Sequence, residues 1–388
     1  MLLLYLLGRP DATALGKIAA TLGSKQASDG GWRSSAGDPK DLSTSVTAYL
    51  ALRVHGVPSE APYMQRAAAF IKENGGVDPT DVFTRSFLAL FGCCPSHCLP
   101  SFYPEMMCLS SWTGNDYHTL PAWLRVLALP AAVARTCASS KTLPDSVRLD
   151  ELIVGNGASQ TTRSSPFIPK LIFMLLTISE RVGLTPWRNQ ALQAADEWLH
   201  GRCSESDGPG ASATALIWLL IALHFLGVEA SHPAMVRPLE SLNELFREEK
   251  DALHLQPHQT PVWHTAHAQA ALCSSGLDPG GEAVLQAAAW LVDQEIISPG
   301  EWQAANPNVR SSGWARTFNG RWYPDIANTA RVLQAFQFLH DECEEGAAAH
   351  GLISRISVQG ILDDNRLGVA TQRGLAWLLS MQNPDGGW

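Results

Sequence analysis

The chain has 388 residues, which is enough for a sizeable core and for two or three domains. Hydrophobic residues make up 46% of the sequence and charged residues only 17%, a composition that excludes a disordered chain. The net charge is −9 and no long basic run occurs, which argues against a nucleic-acid partner. The composition favours an ordinary soluble or peripheral protein with apolar surface available to a lipid or a partner.

The predicted elements are helices from the first residues onward. The N-terminal run MLLLYLL lacks a basic leader and a cleavage site, so we predict a core helix and not a signal peptide. Helical periodicity recurs over 45–54, 84–90, 213–226, 265–272, 329–339 and 374–381, and turns rich in Gly, Pro and Asp separate these stretches. No alternating strand pattern is visible, so the predicted fold class is all-α, built from helix pairs.

Two apolar runs, at 168–178 and 215–228, are too short to span a bilayer. Each predicts either a buried helix or a patch that rests on a membrane. Eight cysteines are scattered along the chain, which favours a reducing compartment. The cluster CCPSHC at 93–98 suggests zinc, but a structural zinc site usually has two separated ligand pairs and no second pair is visible. We therefore predict a packed loop there, with no metal and no cofactor.

A short sequence repeats at the ends of the predicted helices. QASDGGW at 26–32 is nearly the same as QNPDGGW at 382–388, KENGGV at 72–77 is a degraded copy, and 198–210 is weaker. A further copy with a longer turn runs from 290 to Trp302. The glycines supply positive φ after a helix, the Gln can donate to exposed carbonyls or reach the next helix, and the Trp covers the joint. Such units must stack or close into a ring.

These repeats resemble the QW motif of the squalene and oxidosqualene cyclases, whose full pattern occurs at 373–388. Further blocks resemble the same family in order: DLSTSVTAYLAL at 41–52, GGVDPTDVFTRSFLAL at 75–90, YPEMM at 103–107, PVW at 261–263 and WYPD at 322–325. The resemblance implies an all-α fold of α/α barrels, or toroids, of the class II terpene cyclase type. It places the smaller barrel at 1–250 and the first part of an incomplete catalytic barrel at 251–388, whose inner helices should expose apolar surface.

The resemblance also implies a reaction, the proton-initiated polycyclisation of squalene or a related isoprenoid to a hopanoid or other triterpene. An alkene is a very weak base, so relatives use a strong acid from a D-x-D-D motif and hold the cation against aromatic faces. The matching string here is DIAN at 325–328, in which only Asp325 is still an acid. Ala327 occupies the position of the proton donor and Asn328 that of the third acid, and neither can replace it.

By the same resemblance, six residues are expected at the substrate, and two of them depart from the family pattern. His264 stands where hopene cyclases carry Asp, and Arg316 stands where they carry a cavity Phe, so a guanidinium would oppose a carbocation. Arg316 could instead point to solvent, and His264 could be a hydrogen-bonded core residue. The six are Trp123, Trp263, His264, Trp314, Arg316 and Tyr323.

Three functions stay open from the sequence. The chain could be an active squalene–hopene-type cyclase, a catalytically impaired homologue or fragment that at most binds isoprenoid, or an enzyme on a prenyl diphosphate whose phosphate pairs with His264 and Arg316. A prenyltransferase subunit is another helical toroid, but the zinc site that it needs is not visible. The family resemblance predicts a squalene-like lipid partner and a monotopic or peripheral position on the cytoplasmic side of a membrane, or a cytoplasmic one, with contact through 168–176. A homodimer is a further expectation.

Overall fold

The computed structural model is built mainly of helices. It describes residues 1–8, 11–34, 41–93, 102–109, 117, 122–137, 149–152, 174–176, 178–179, 182–185, 187–204, 212–249, 252–304, 306–316, 320, 323–344 and 364–388. The helices are α1 (Leu2–Leu6), α2 (Ala12–Ser24), α3 (Leu42–Val54), α4 (Pro62–Glu73), α5 (Val82–Leu90), α6 (Ala122–Cys137), α7 (Arg188–Ser204), α8 (Ala213–Phe225), α9 (Pro233–Glu244), α10 (Pro261–Ser274), α11 (Glu282–Asp293), α12 (Ile326–Glu344) and α13 (Asp364–Ser380). Short 3₁₀ helices lie at Pro104–Cys108, Asp150–Leu152 and Glu301–Ala304.

The predicted helical stretches fall within α3, α5, α8, α10, α12 and α13 to within one residue, which confirms the helical fold class. None of the helices in the described part of the chain has both the length and the apolar character that crossing a bilayer requires. The sequence did not predict a short β-hairpin that the described residues contain, β1 (Phe246–Glu249) paired antiparallel with β2 (Ala252–Leu255). Its second strand is fixed to α2, because the backbone N–H of Leu253 donates to Thr21 Oγ1 at 3.2 Å.

The first compact unit comprises Met1–Ser204 and Thr214–Gln256. Its core contains the buried side chains of Tyr49 and Leu52 from α3 and Trp218 from α8, and the Trp218 ring lies 5.4 Å from the ring of Phe87. The apolar run at 215–228 therefore belongs largely to a buried helix, one of its two predicted alternatives. The first residues also form a helix, in which Leu2, Leu3 and Leu6 are buried, as expected for a core helix.

Aspartate side chains and prolines set where several helices begin. Asp41 caps α3 by accepting the backbone N–H of Thr44 at 2.8 Å, and Asp81 caps α5 by accepting that of Thr84 at 2.9 Å. Helices α4, α9 and α10 start with proline instead, which suits a first turn because its missing N–H would have no partner there. Each of these five helices thus begins at a residue whose own local chemistry favours a helix start.

The second compact unit comprises Glu205–Ala213 and Pro257–Trp388. Helices α10 to α13 enclose one apolar cluster in which Trp314 and Phe336 are fully buried and meet edge to face at 5.8 Å. Helices α10 and α12 pack directly against each other. Gln269 fixes their register, because its Nε2 donates to the carbonyl of Ala335 at 3.1 Å.

The predicted repeat forms a defined joint after helix α2, which we call the Gln–Trp joint. Gln26 Nε2 donates to the carbonyls of Gly30 at 2.8 Å and Tyr63 at 2.7 Å, so it ties its own turn to the start of α4. The indole N–H of Trp32 donates to the carbonyl of Leu22 at 2.7 Å. The roles predicted for Gln and Trp are therefore confirmed here. The joint at 382–388 repeats this pattern, with Gln382 Nε2 on Gly386 O and the Trp388 indole on Leu378 O, both at 2.8 Å.

The joint of the second unit uses different residues from those predicted. In this joint the indole N–H of Trp314, and not that of Trp302, donates to the carbonyl of Leu291 at 2.6 Å. Leu291 lies four residues before Glu295, as Leu22 lies four residues before Gln26. The backbone N–H of Ile296 bonds Gly313 O at 2.9 Å, as Ala27 bonds Gly31 in the first joint, which places Glu295 in the position of the Gln. The prediction that this copy ends at Trp302 is wrong, because the turn is 13 residues longer between its Gln-type and Trp positions (295 to 314, against 26 to 32).

Candidate active site

The acid-motif string lies at the N-terminus of α12, where Asp325 serves as the helix cap. Asp325 Oδ1 accepts the backbone N–H of Asn328 at 2.8 Å and the side-chain Nδ2 of Asn328 at 3.0 Å. The Asp325 backbone is also fixed, since its N–H donates to Trp314 O at 2.8 Å. Two N–H donors therefore converge on one carboxylate oxygen, which caps the first turn of α12.

The next two positions of the motif provide no second acid. Ala327 is exposed and presents only a methyl group. Asn328 is 2% exposed, and its Oδ1 is buried without a donor among the described residues. Asp325 and Asn328 can accept hydrogen bonds and can orient a polar group. The three positions together carry one carboxyl group, whereas the family motif carries three.

Two buried residues, Trp314 and Thr329, hold the start of α12 in place. Thr329 Oγ1 accepts the backbone N–H of Trp314 at 3.0 Å, and the Trp314 ring lies wholly within the core. Gly313 has φ +103°, and a Cβ there would come within 2.9 Å of Thr329 Oγ1. The structure thus places Trp314 at the joint beneath α12, where it holds the position of the motif by packing.

The other predicted substrate residues are placed on separate elements. Trp263 and His264 lie in the first turn of α10, and the Trp263 ring is 37% exposed with its centroid 4.3 Å from that of His267. His264 is exposed. Tyr323 is half-buried just before the cap. The side chain of Trp123, in α6, lies outside the described residues.

Arg316 is exposed, as its alternative interpretation held, and follows the short bridge between Ala315 and Pro324. Its charge acts on His258, whose pKa is lowered first by burial and then by the nearby guanidinium. The predicted cysteine cluster falls outside the described residues except for Cys93, which is half-buried. Among the described side chains, no group of three or more His, Cys, Asp or Glu is suited to a metal ion.

Comparison with known proteins decides the family. The model of the squalene-hopene cyclase N-terminal domain matches residues 1–251, and that of the squalene-hopene cyclase C-terminal domain matches residues 259–388. The chain belongs to the squalene–hopene cyclase family. The family is one of class II terpene cyclases, and the helical architecture described above is the one that it implies.

Individual relatives of the squalene–hopene cyclase family are about 30% identical to the chain. The squalene–hopene cyclase of Alicyclobacillus acidocaldarius is 30% identical over 393 residues, which cover 100% of this chain and 59% of the relative. A terpene cyclase–glycosyl transferase fusion protein of Humicola fuscoatra is 31% identical over 95% of this chain and 28% of its own length. The dammaradiene synthase of Dryopteris crassirhizoma is 28% identical over 100% of this chain and 55% of its own length. The chain thus spans less than two thirds of these relatives.

Two further basic residues lie beside the positions that the squalene–hopene cyclase resemblance singled out, and sequence reasoning missed them. His267 follows His264 by three residues on α10, and Arg331 follows Ala327 by four residues on α12. Such spacings place each pair on one helix face. The spacing in the sequence could have suggested each pair separately. That the pair on α10 lies near the pair on α12 depends on the packing of these two helices.

Proposed function

We propose that the chain binds a linear isoprenoid of the squalene class as a squalene–hopene-type triterpene cyclase does. Its family reaction would be proton-initiated polycyclisation, an isomerisation of the substrate. The family membership supports the substrate class, and the names of the relatives carry squalene, hopene and dammaradiene. Trp263, a partly exposed indole on the first turn of α10, offers an apolar face of the kind that an isoprenoid chain or a carbocation requires.

The geometry at Asp325 determines how fast this reaction should be. Asp325 is the remaining acid of the motif, and its carboxylate is occupied by helix capping. A positioned general acid contributes about 10²- to 10⁴-fold to a rate, so we expect turnover to be slower by about this factor than in a chain with the acids restored. The observation that carries the proposal is the match of the two squalene-hopene cyclase domain models over residues 1–251 and 259–388.

A second candidate function is binding without cyclisation, and Ala327 is the observation that favours it. Substitution of the remaining acid separates the two. The assay is incubation of the chain with squalene in detergent, with products analysed by gas chromatography–mass spectrometry, and with retention of radiolabelled squalene measured in parallel. If Asp325 is the proton donor, slow product formation disappears in Asp325→Asn while squalene retention is unchanged. Retention without product in both chains supports the second candidate. Failure of both chains to retain squalene contradicts the proposal that the chain binds isoprenoid.

For localisation, we propose that the protein takes its lipid at a membrane surface. The described residues between 174 and 187 expose several apolar side chains, by 49% to 67%: Met174, Leu175, Ile178, Val182, Leu184 and Trp187. An apolar surface of this kind suits an interface with lipid or protein. The test is co-sedimentation with phosphatidylcholine vesicles, in which Leu184→Glu should release the protein and Leu272→Glu, an exposed leucine elsewhere, should not. Equal sedimentation of both variants contradicts the assignment.

A further inference from the structure

Three basic side chains lie on the facing helices α10 and α12, close to the position where the family carries its proton donor. His264 and His267 share one face of α10, and Arg331 lies one turn after Ala327 on α12. The bond from Gln269 to Ala335 fixes the register of the two helices. Gln269 follows His267 by two residues, and Ala335 follows Arg331 by four, so each of these two basic residues lies within about one helical turn of this bond.

The electrostatics agree with this proximity. The pKa of His267 is lowered first by burial, then by the charge of Arg331 and then by that of His264. No carboxylate among the described residues forms an ion pair with any of the three side chains. The structure therefore gathers three basic side chains, and no anion among the described residues pairs with them.

Two of the three side chains also have a buried nitrogen without a partner. His267 Nε2 and Arg331 Nε are shielded from solvent, and neither has an acceptor within the described part of the chain. Arg331 Nη1 donates to Gln334 Oε1 at 2.6 Å, which leaves the Nε side of its guanidinium unoccupied. A buried donor without an acceptor costs free energy, and an anion with several oxygens would remove that cost.

We propose that these three residues, the His264–His267–Arg331 cluster, bind the diphosphate group of a prenyl diphosphate. A guanidinium and two imidazoles can donate to several oxygens of one multiply charged group, whereas squalene offers no acceptor. The Trp263 ring contacts the His267 ring at a tilt, with the centroids 4.3 Å apart, and the residue is partly exposed, so it can contact the first isoprene units of the same ligand. The inference rests on the proposed isoprenoid-binding function and extends its ligands from squalene, a hydrocarbon without a head group, to isoprenoids that carry a diphosphate. The sequence placed the phosphate contact on His264 and Arg316. We place it on His264, His267 and Arg331, because the charge of Arg331 acts on His267 whereas that of Arg316 acts on His258.

The experiment compares geranylgeranyl diphosphate with geranylgeraniol, which differ only in the head group. Equilibrium binding to the whole chain in detergent is measured for the unmodified protein, Arg331→Leu, Arg331→Lys and the exposed control Arg310→Leu, with circular dichroism as the check on folding. A charge-assisted contact contributes about 1.5–3 kcal/mol, so we expect the diphosphate to bind at least about tenfold more tightly than the alcohol. Arg331→Leu should abolish this preference, Arg331→Lys should retain part of it, and Arg310→Leu should leave it unchanged.

The outcomes distinguish this inference from the function on which it rests. Equal affinity for alcohol and diphosphate, or equal effects of Arg331→Leu and Arg310→Leu, would overturn the diphosphate site and leave isoprenoid binding intact. Binding of the diphosphate but not of the alcohol, lost in Arg331→Leu, would support the anion site while contradicting a general isoprenoid pocket. Absence of binding by both ligands would overturn both proposals.

Discussion

The joint of the second unit contains a buried carboxylate whose removal from its partner should be measurable. The side chain of Glu295 is only 3% exposed. It accepts two hydrogen bonds from Arg373, at 3.0 Å from Nε and 2.6 Å from Nη2, and one from Ser312 Oγ at 2.7 Å. Arg373→Ala leaves this carboxylate with Ser312 as its one described side-chain donor. In the two other Gln–Trp joints the same position holds an uncharged Gln, which needs no counter-charge.

The magnitude follows from the exposure of the two partners. Breaking a buried ion pair by removing one side typically costs about 3–5 kcal/mol, but the Arg373 side chain is 35% exposed, so water can partly replace it. We therefore expect Arg373→Ala to lower the free energy of unfolding of the second unit by about 2–3 kcal/mol. For a unit of this size that corresponds to a fall in Tm of about 4–12 °C. The double variant Glu295→Gln/Arg373→Ala should recover most of the loss, because the uncharged amide is cheaper to bury.

The assay is thermal unfolding followed by circular dichroism, with hydrogen exchange over residues 291–316 to locate the effect. The control is Arg366→Ala, which breaks the exposed pair with Asp293, where both side chains are more than half exposed. That variant should cost less than about 1 kcal/mol. The reasoning would be refuted if Arg373→Ala were no more destabilising than Arg366→Ala, or if the double variant were as unstable as Arg373→Ala.

Three further predictions concern the described packing. Thr329→Val should cost about 1–3 kcal/mol, because it leaves the buried N–H of Trp314 without its acceptor, and Thr329→Ser should cost much less; urea unfolding measures both. Gly313→Ala should cost about 1–3 kcal/mol more than Gly276→Ala, since both have positive φ but only the first Cβ meets close neighbours, and equal losses would contradict this. Burial raises the pKa of the Cys203 thiol to about 12, so mass spectrometry should find it unmodified by iodoacetamide at pH 8 until the protein unfolds.

Local patterns in the sequence predicted most of the helices, because apolar residues at helical spacing and capping aspartates act over a few residues. The same locality explains what was missed. In the joint of the second unit the turn is 13 residues longer than in the first, so Trp302 was taken for the covering Trp, and the charged Glu295 was not recognised in the Gln position. The β-hairpin carries charged residues in β1, a composition that predicts no strand.

The candidate site was predictable only where the resemblance fixed the position. Asp325, Ala327 and Asn328 followed from the motif, but the capping role of Asp325 depends on three-dimensional contacts. The His264–His267–Arg331 cluster could not be predicted, because its residues come from two helices whose register is set by the Gln269–Ala335 bond. Trp314 was expected at the substrate, whereas its buried ring and its hydrogen bonds to Thr329 Oγ1 and the Leu291 carbonyl give it a structural position at the joint.

The measurement that tests the central claim most directly is restoration of the missing acids. Ala327→Asp/Asn328→Asp and the unmodified chain are incubated with squalene in detergent, and cyclised products are quantified by gas chromatography–mass spectrometry. The account predicts that the restored variant forms hopanoid or related products about 10²- to 10⁴-fold faster than the unmodified chain, since it regains a positioned general acid. Equal product formation by the two chains would contradict the account, because it would show that the capped Asp325 or another group already supplies the proton at full rate.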